Sequence, residues 1–257
     1  MTAFFSLPII NITMRDIFTI LSYNILIQRQ ERNKIMAKEI TFNEIKKNEM
    51  INHYIDRANF VTGAMGYTEH SRAHAALVAE TAGSILRKLN YSKREIELVK
   101  IAGYMHDIGN TVNRNDHAHN GAIMAFQILT NMGMHYKDVS IICSAIGQHD
   151  EKTGTAIDPI SAALILADKT DVRRNRVCTK KKSDFDIHDR VNYAVTGSNL
   201  TINTHKNTIQ LDLTLDYNIC TVMDYFEIFL GRMIMCKRAS EVLGLKFRAK
   251  ANGTKIC

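Results

Sequence analysis

The sequence has no tryptophan, only two prolines, and five cysteines that include no C-x-x-C pair. So few helix breakers, over long stretches of Leu, Ile, Met, Ala, Glu and Lys, predict a mainly helical chain. Cys143, Cys178, Cys220, Cys236 and Cys257 are odd in number, so no disulfide framework is expected, and a reducing compartment, the cytoplasm, is the default. A long hydrophobic run is also missing. The apolar stretches Phe4 to Ile12 and Ile17 to Ile27 are split by Arg15-Asp16 and fall short of the roughly 18 to 20 residues that a spanning helix needs. No basic start with a small-residue cleavage site marks a signal peptide, and there is no internal repeat or low-complexity segment.

What the sequence does contain is a full core's worth of apolar residues, 46% of 257, enough for one domain or one domain with an appendage. The formal charge of +7 is compatible with an anionic substrate, a nucleic acid, or no specific partner. Its densest part runs from Lys169 to Lys182 and includes Arg173, Arg174, Arg176 and the run Lys180-Lys181-Lys182. The three lysines read as a solvated loop. Without interleaved aromatics they make a poor single-strand platform, so nucleic acid is not the expected partner.

Residues 1–35 differ in character from the rest. Gln30-Glu31-Arg32 can be encoded by a purine-rich string resembling a bacterial ribosome-binding site, and Met36 follows with a polar opening. Translation is therefore expected to start at Met36; the rival reading is an amphipathic surface anchor. The expected division is an extension over 1–35, a helical domain over 36–195 and a C-terminal subdomain over 196–257.

From Thr41 the signals are regular. Thr41 with Glu44, and Ser92 with Glu95, have capping-box spacing, and Asp158-Pro159 reads as an N-cap and first helical residue. Ile51, Tyr54, Ile55 and Ala58 form one helical stripe; Leu77, Val78, Ala82, Ile85 and Leu89 form another, with His74 on or beside it. Val99, Ala102, Gly103 and His106 share a face just before Asp107. Met124, Ile128 and Met132 lie inside the helix opened by His117. Ile142, Ala145, Ile146 and His149 share a further face, as do Ser161, Leu164, Ile165 and Asp168. Repeatedly, a metal-ligand type of side chain ends an apolar stripe.

Beyond about residue 197 the period changes. Leu200 and Ile202, then Ile209, Leu211, Leu213 and Leu215, predict two strands joined across Thr204 to Thr208. A long helix over Thr221 to Leu243 is expected to carry Val222, Tyr225, Phe226, Phe229, Leu230 and Met233 on one side. A strand at Lys246 to Ala249 and an Asn252-Gly253 turn follow.

One buried histidine is usually a satisfied core residue. His74, His106-Asp107, His149 and Asp168, on separate helices and several at helix ends, are harder to explain by packing. A histidine beside an aspartate at an apolar helix end costs desolvation unless a cation binds both. Imidazole and carboxylate ligands without thiolates suit Mn, Fe, Mg or Zn in an open, hydrolytic site.

The order His, His-Asp, Asp on successive helices resembles the HD-domain superfamily of metal-dependent phosphohydrolases. His106-Asp107-Ile108-Gly109 matches its HDIG form, and from Met36 the chain resembles clostridial-type members. The resemblance covers roughly residues 60–180. It implies a mainly α fold with an HD-type helical bundle core; the small C-terminal α+β appendage of β-hairpin, long helix and short strand, read from the residues, is not part of the general family pattern. It makes His74 the first ligand, His106 and Asp107 the central pair and Asp168 the distal ligand. His70 is the competing first ligand, or a substrate contact, or surface. The spacing His117 to Gly121, and His149 before Gly154, resembles the subgroup with two or more metals. This implies one or two divalent ions, with His117 and His149 on the second and Asp107 bridging; the alternative is that both histidines only support the first shell. Asn110 stands where cyclic-dinucleotide enzymes often carry lysine, and no Gly-Tyr-Pro element is present, which argues against cyclic di-GMP hydrolysis.

The implied activity is hydrolysis of a phosphomonoester or phosphodiester, of a nucleotide, by metal-activated water. Asp107 would orient and Asp150 would accept or donate a proton, while Lys169, Arg173 and Arg174 would neutralise phosphate. The alternative is a nucleotide sensor without turnover. The appendage is read as covering the core, forming a homodimer contact or shaping the substrate pocket, and His53, His119, His135, His188 and His205 are expected at the surface.

Overall fold

The computed structural model describes residues 38–178 and 185–257, together with Tyr23. The expectations about residues 1–35, Met36 and Lys180-Lys181-Lys182 lie outside the described residues.

The first two helices, α1 (Phe42–Lys47) and α2 (Glu49–Ala64), begin at Thr41 and Asn48, whose side chains accept backbone N–H groups. Thr41 and Glu44 close the expected capping box. Ser71 caps α3 (Arg72–Lys88), and the Ser92–Glu95 box starts α4 (Lys93–Met105). Gly103 lets α3 and α4 approach closely, since a Cβ there would stand 2.9 Å from the Cα of Ala79. Leu77, expected on the α3 stripe, is 38% exposed; the buried face runs instead through His74, Val78, Ala82 and Ile85.

A 3-10 turn (Ile108–Thr111) links α4 to α5 (His117–Asn131), and α6 (Tyr136–Gly147) follows. Asp158 and Pro159 open α7 (Pro159–Lys169) as their order predicts. Every residue of α7 from Ile160 to Ala167 is buried, and the helix packs against α3, α4 and α6. A helix that is apolar all round belongs at the centre of a bundle.

Past a second 3-10 turn (Arg174–Arg176), α8 (Ile187–Ala194) runs directly into β1 (Val195–Asn203). No apolar stripe marks α8, because its buried positions include Asp189 and Asn192. β1 pairs antiparallel with β2 (Thr208–Leu215), with Leu200 opposite Leu211 and Ile202 opposite Ile209. The expected long helix is α9 (Val222–Val242), capped by Thr221 and Asp224. It also packs on α7 and crosses over to β3 (Lys246–Ala251), which lies parallel to β2. Leu230 is 53% exposed; the buried face of α9 follows Tyr225, Phe229, Met233, Cys236 and Ala239, which puts Leu230 one step outside it. A short β4 (Thr254–Lys255) follows the Asn252-Gly253 turn, both of whose residues have positive φ, and completes a sheet ordered β1-β2-β3-β4.

Helices and sheet share one continuous apolar core, from Ile40 through Leu164 to Ala251. Among the described residues no helix is long and apolar enough to cross a membrane.

Candidate metal centre

Helix ends set the site. His74 lies in the first turn of α3; His106 is the C-cap of α4 with Asp107 after it; His117 is the first residue of α5. His149 follows α6 by two residues, and Asp168 is the penultimate residue of α7. An added Cβ at Gly109 would overlap the carbonyl oxygen of His117 and the amide nitrogen of Gly121. The glycine of the HDIG stretch therefore does more than stop a helix. It lets the 3-10 turn touch α5 and brings His117 to Asp107.

Each imidazole is held from behind. The Nδ1–H of His106 donates to the carbonyl of Gly103 (2.8 Å), that of His117 to Arg114 (3.0 Å), that of His149 to Ile146 (2.6 Å) and that of His70 to Thr68 (2.5 Å). The Nδ1–H of His74 donates to the Asp171 carboxylate at 2.7 Å. An acceptor at Nδ1 assigns the proton there and leaves Nε2 as a free lone pair.

All five Nε2 atoms converge on Asp107. Around its Oδ2 stand His106 at 3.0 Å, His74 at 3.8 Å and His70 at 4.0 Å. Asp168 Oδ1 lies 3.4 Å from His74 Nε2 and 3.6 Å from His106 Nε2. Around Asp107 Oδ1 stand His117 at 3.6 Å and His149 at 3.8 Å, with 3.1 Å between their Nε2 atoms.

The Nε2 atoms of His74 and His106 are buried without a hydrogen-bond partner, the condition of a ligand lacking its ion. Donor atoms bound to one divalent ion at about 2.1 Å stand roughly 3.0 to 3.4 Å apart at octahedral or tetrahedral angles. The observed separations are close to that. His74, His106 and Asp168 form one group able to hold an ion, and His106, Asp107 and His149 form another. With two oxygens facing different imidazoles, Asp107 stands between them.

Electrostatics follow from this crowding. Burial alone would raise the Asp107 and Asp168 carboxyls, but His106 beside the first and Lys169 beside the second hold both well below the usual range. Burial would lower His106, yet Asp107 and Asp168 lift it up to about 10, a proton that a cation bound there would displace from Nε2. Burial and the neighbouring His149 push His117 down to about 3.

The structure brings His74, His106, Asp107, His117, His149 and Asp168 together, with Lys169 at their edge. Lys169 is buried and bridges Asp168 (2.9 Å) and Glu151 (2.8 Å). Asp150 lies outside the cluster, on the wall of an adjoining cavity of about 730 Å³. Arg173 and Arg174 are not brought to the cluster, because the chain turns away after Lys169. Arg173 pairs with Asp171, while Arg174 donates to the Tyr193 carbonyl (2.6 Å) and to Asp216 (3.2 Å). His53, His119, His188 and His205 are exposed as expected, although His188 lines the cavity; His135 is half-buried as the N-cap of α6.

Sequence reasoning missed several contributors. Asp171 holds His74, a role foreshadowed only by its place three residues after Asp168. Asn110, read as a departure from a lysine, donates to Asp107 Oδ1 at 2.8 Å. Arg176 is buried and donates to the Glu69 carbonyl, fixing the segment that carries His70. Arg114 and Arg232 line both the cluster pocket and the cavity.

Residues 70–174 match the family model described as HD domain. The uncharacterized protein MJ1020 of Methanocaldococcus jannaschii is 28% identical over 187 residues, 62% of this chain and 70% of that protein. A crystal structure titled as a predicted HD superfamily hydrolase from an uncultured Thermotogales bacterium is 25% identical, with a TM-score of 0.39 over 49% of this chain and 68% of that one. The matched stretch spans the candidate ligands from His70 to Asp168, so over residues 70–174 the chain is similar to an HD domain.

Proposed function

We propose that the protein is a metal-dependent phosphohydrolase acting on a phosphoester of a small substrate of the nucleotide type. The observation that carries this reading is the convergence of five Nε2 lone pairs on one aspartate between two candidate ion positions. His74, His106, Asp107 and Asp168 would hold one divalent ion, and Asp107, His117 and His149 a second. Bound ions supply Lewis acidity, making water a nucleophile near neutral pH and neutralising phosphoryl charge.

The chain's own residues do the rest. Asp107 is kept ionised in a buried position and fixed by Asn110, so its two oxygens keep their orientation. Lys169 adds a fixed positive charge beside Asp168, which would help to neutralise the phosphoryl group's negative charge. Asp150, beside His149 on the cavity wall, would accept or donate a proton as the bond to phosphorus breaks.

The test is metal content of the purified protein together with phosphate release from a panel of nucleotides and simple phosphoesters in Mn²⁺. Wild type should hold one to two ions and turn over at least one substrate; His106→Ala and Asp107→Ala should do neither. Bound metal with no turnover across the panel would make the protein a nucleotide sensor instead. A folded protein without metal, under conditions that exclude stripping, would overturn both.

A further inference from the structure

We propose that Arg114 and Arg232 form a guanidinium bracket that holds the substrate's single phosphoryl group over the metal centre, the remainder of the substrate lying in the 730 Å³ cavity. This rests on the phosphohydrolase reading and names its substrate class: a phosphomonoester of a compound rich in hydrogen-bond donors, such as a nucleoside monophosphate.

The two arginines occupy matching positions. Arg114 lies over the ring of Tyr67 at 5.4 Å and donates to Asn110 at 3.3 Å; Asn110 in turn holds Asp107. Arg232 lies over the ring of Phe229 at 4.6 Å and faces Glu151 at 3.4 Å; Glu151 pairs with Lys169, and Lys169 with Asp168. Each guanidinium is therefore tied, through one or two side chains, to one of the two carboxylates of the cluster. Both line the small pocket over the cluster as well as the larger cavity, so they stand at the passage between them. Asn110 engages Nη1 of Arg114 and Glu151 engages Nε of Arg232, so the remaining N–H groups of each fork can meet phosphoryl oxygens.

Beyond the arginines carboxylates prevail on the wall: Asp116, Asp150, Asp186 and Asp189 line the cavity together with Asn115 and Asn192, against the single ammonium of Lys152. A second phosphate there would meet carboxylates, whereas amino and hydroxyl groups would find acceptors. Cavities of this volume fit nucleoside-sized ligands. Arg232 comes from α9, outside the 70–174 match, so the C-terminal part completes the site.

Calorimetric titration of inorganic phosphate into manganese-loaded protein tests the bracket. Arg114→Gln and Arg232→Gln should each weaken phosphate by roughly tenfold or more with manganese content unchanged, and Arg232→Lys should recover part of that loss. Affinity unchanged in both Gln variants, or in Arg114→Gln and Arg232→Lys if Arg232→Gln does not fold, overturns the bracket. Adenosine monophosphate should bind wild type more tightly than the diphosphate; the reverse order overturns the single-phosphate assignment. A wild type without manganese overturns the phosphohydrolase reading and the bracket together, whereas manganese-loaded protein whose phosphate affinity ignores both arginines overturns the bracket alone.

Discussion

At the scale of single residues, what distinguishes this site is what stands behind each ligand. Asp171 touches no candidate ion position, yet it alone orients His74, and Arg173 and Arg176 hold it ionised in turn. Asp171→Asn should leave the six first-choice ligands in place and weaken manganese binding by about 10- to 100-fold, read from a titration of the apoprotein. A second prediction lies far from the metal. Burial lifts the Cys236 thiol up to about 12, while an unfolded cysteine titrates near about 8.5. The native state keeps a proton that the unfolded chain gives up, so this contribution is complete below about pH 8.5 and falls by about 1.4 kcal/mol per pH unit above it. Denaturant melts from pH 8 to 10 should show the decline, and Cys236→Ala should remove one proton's worth of its slope. The candidate ligands His106, His149 and Asp168 were legible because each ends an apolar stripe. Asp171 was not, since a carboxylate after a helix end reads as solvated until a histidine is seen against it.

At the scale of elements, capping residues and close approach do the positioning. Gly109 has no room for a side chain between the 3-10 turn and α5. Gly109→Ala should push His117 away from Asp107 and cost roughly 1 to 3 kcal/mol of stability. Metal content should fall toward one ion per chain while the His74, His106 and Asp168 group persists. Ser92→Ala removes half of a capping box at the start of the helix that ends in His106, and about 1 kcal/mol with it, measurable by urea unfolding. Elements with local signals, such as the Thr41, Ser92 and Asp158 starts and the β1–β2 alternation, could be read from the chain. The helix α8 could not, because Asp189 and Asn192 occupy its inner positions, and Leu230 was misplaced because α9 turns a different stripe toward the core. Local periodicity does not say which neighbour a helix will meet.

At the scale of the whole molecule, the ligands come from α3, α4, α5, α7 and the segment after α6. Ions held there would bind the folded arrangement and not its parts. Stripping with a chelator should lower Tm, and manganese at about 100 times its Kd should restore it by roughly 5 to 10 °C. A Tm indifferent to manganese would mean that the cluster holds no ion. The helical bundle with its C-terminal sheet was foreseeable from composition and alternation. The position of Arg232 was not, because nothing in the local sequence relates a residue of α9 to an aspartate after α4.

The ligand set is confined to residues before Lys169, while part of the cavity's far wall belongs to α8 and α9. Chemistry and selectivity thus sit on different stretches of chain and are free to diverge separately. A library varying His188 and Asn192 should change which phosphoester is preferred while every active member keeps the parent's metal content, giving this chain an evolutionary handle on substrate choice that leaves the bond-breaking machinery untouched.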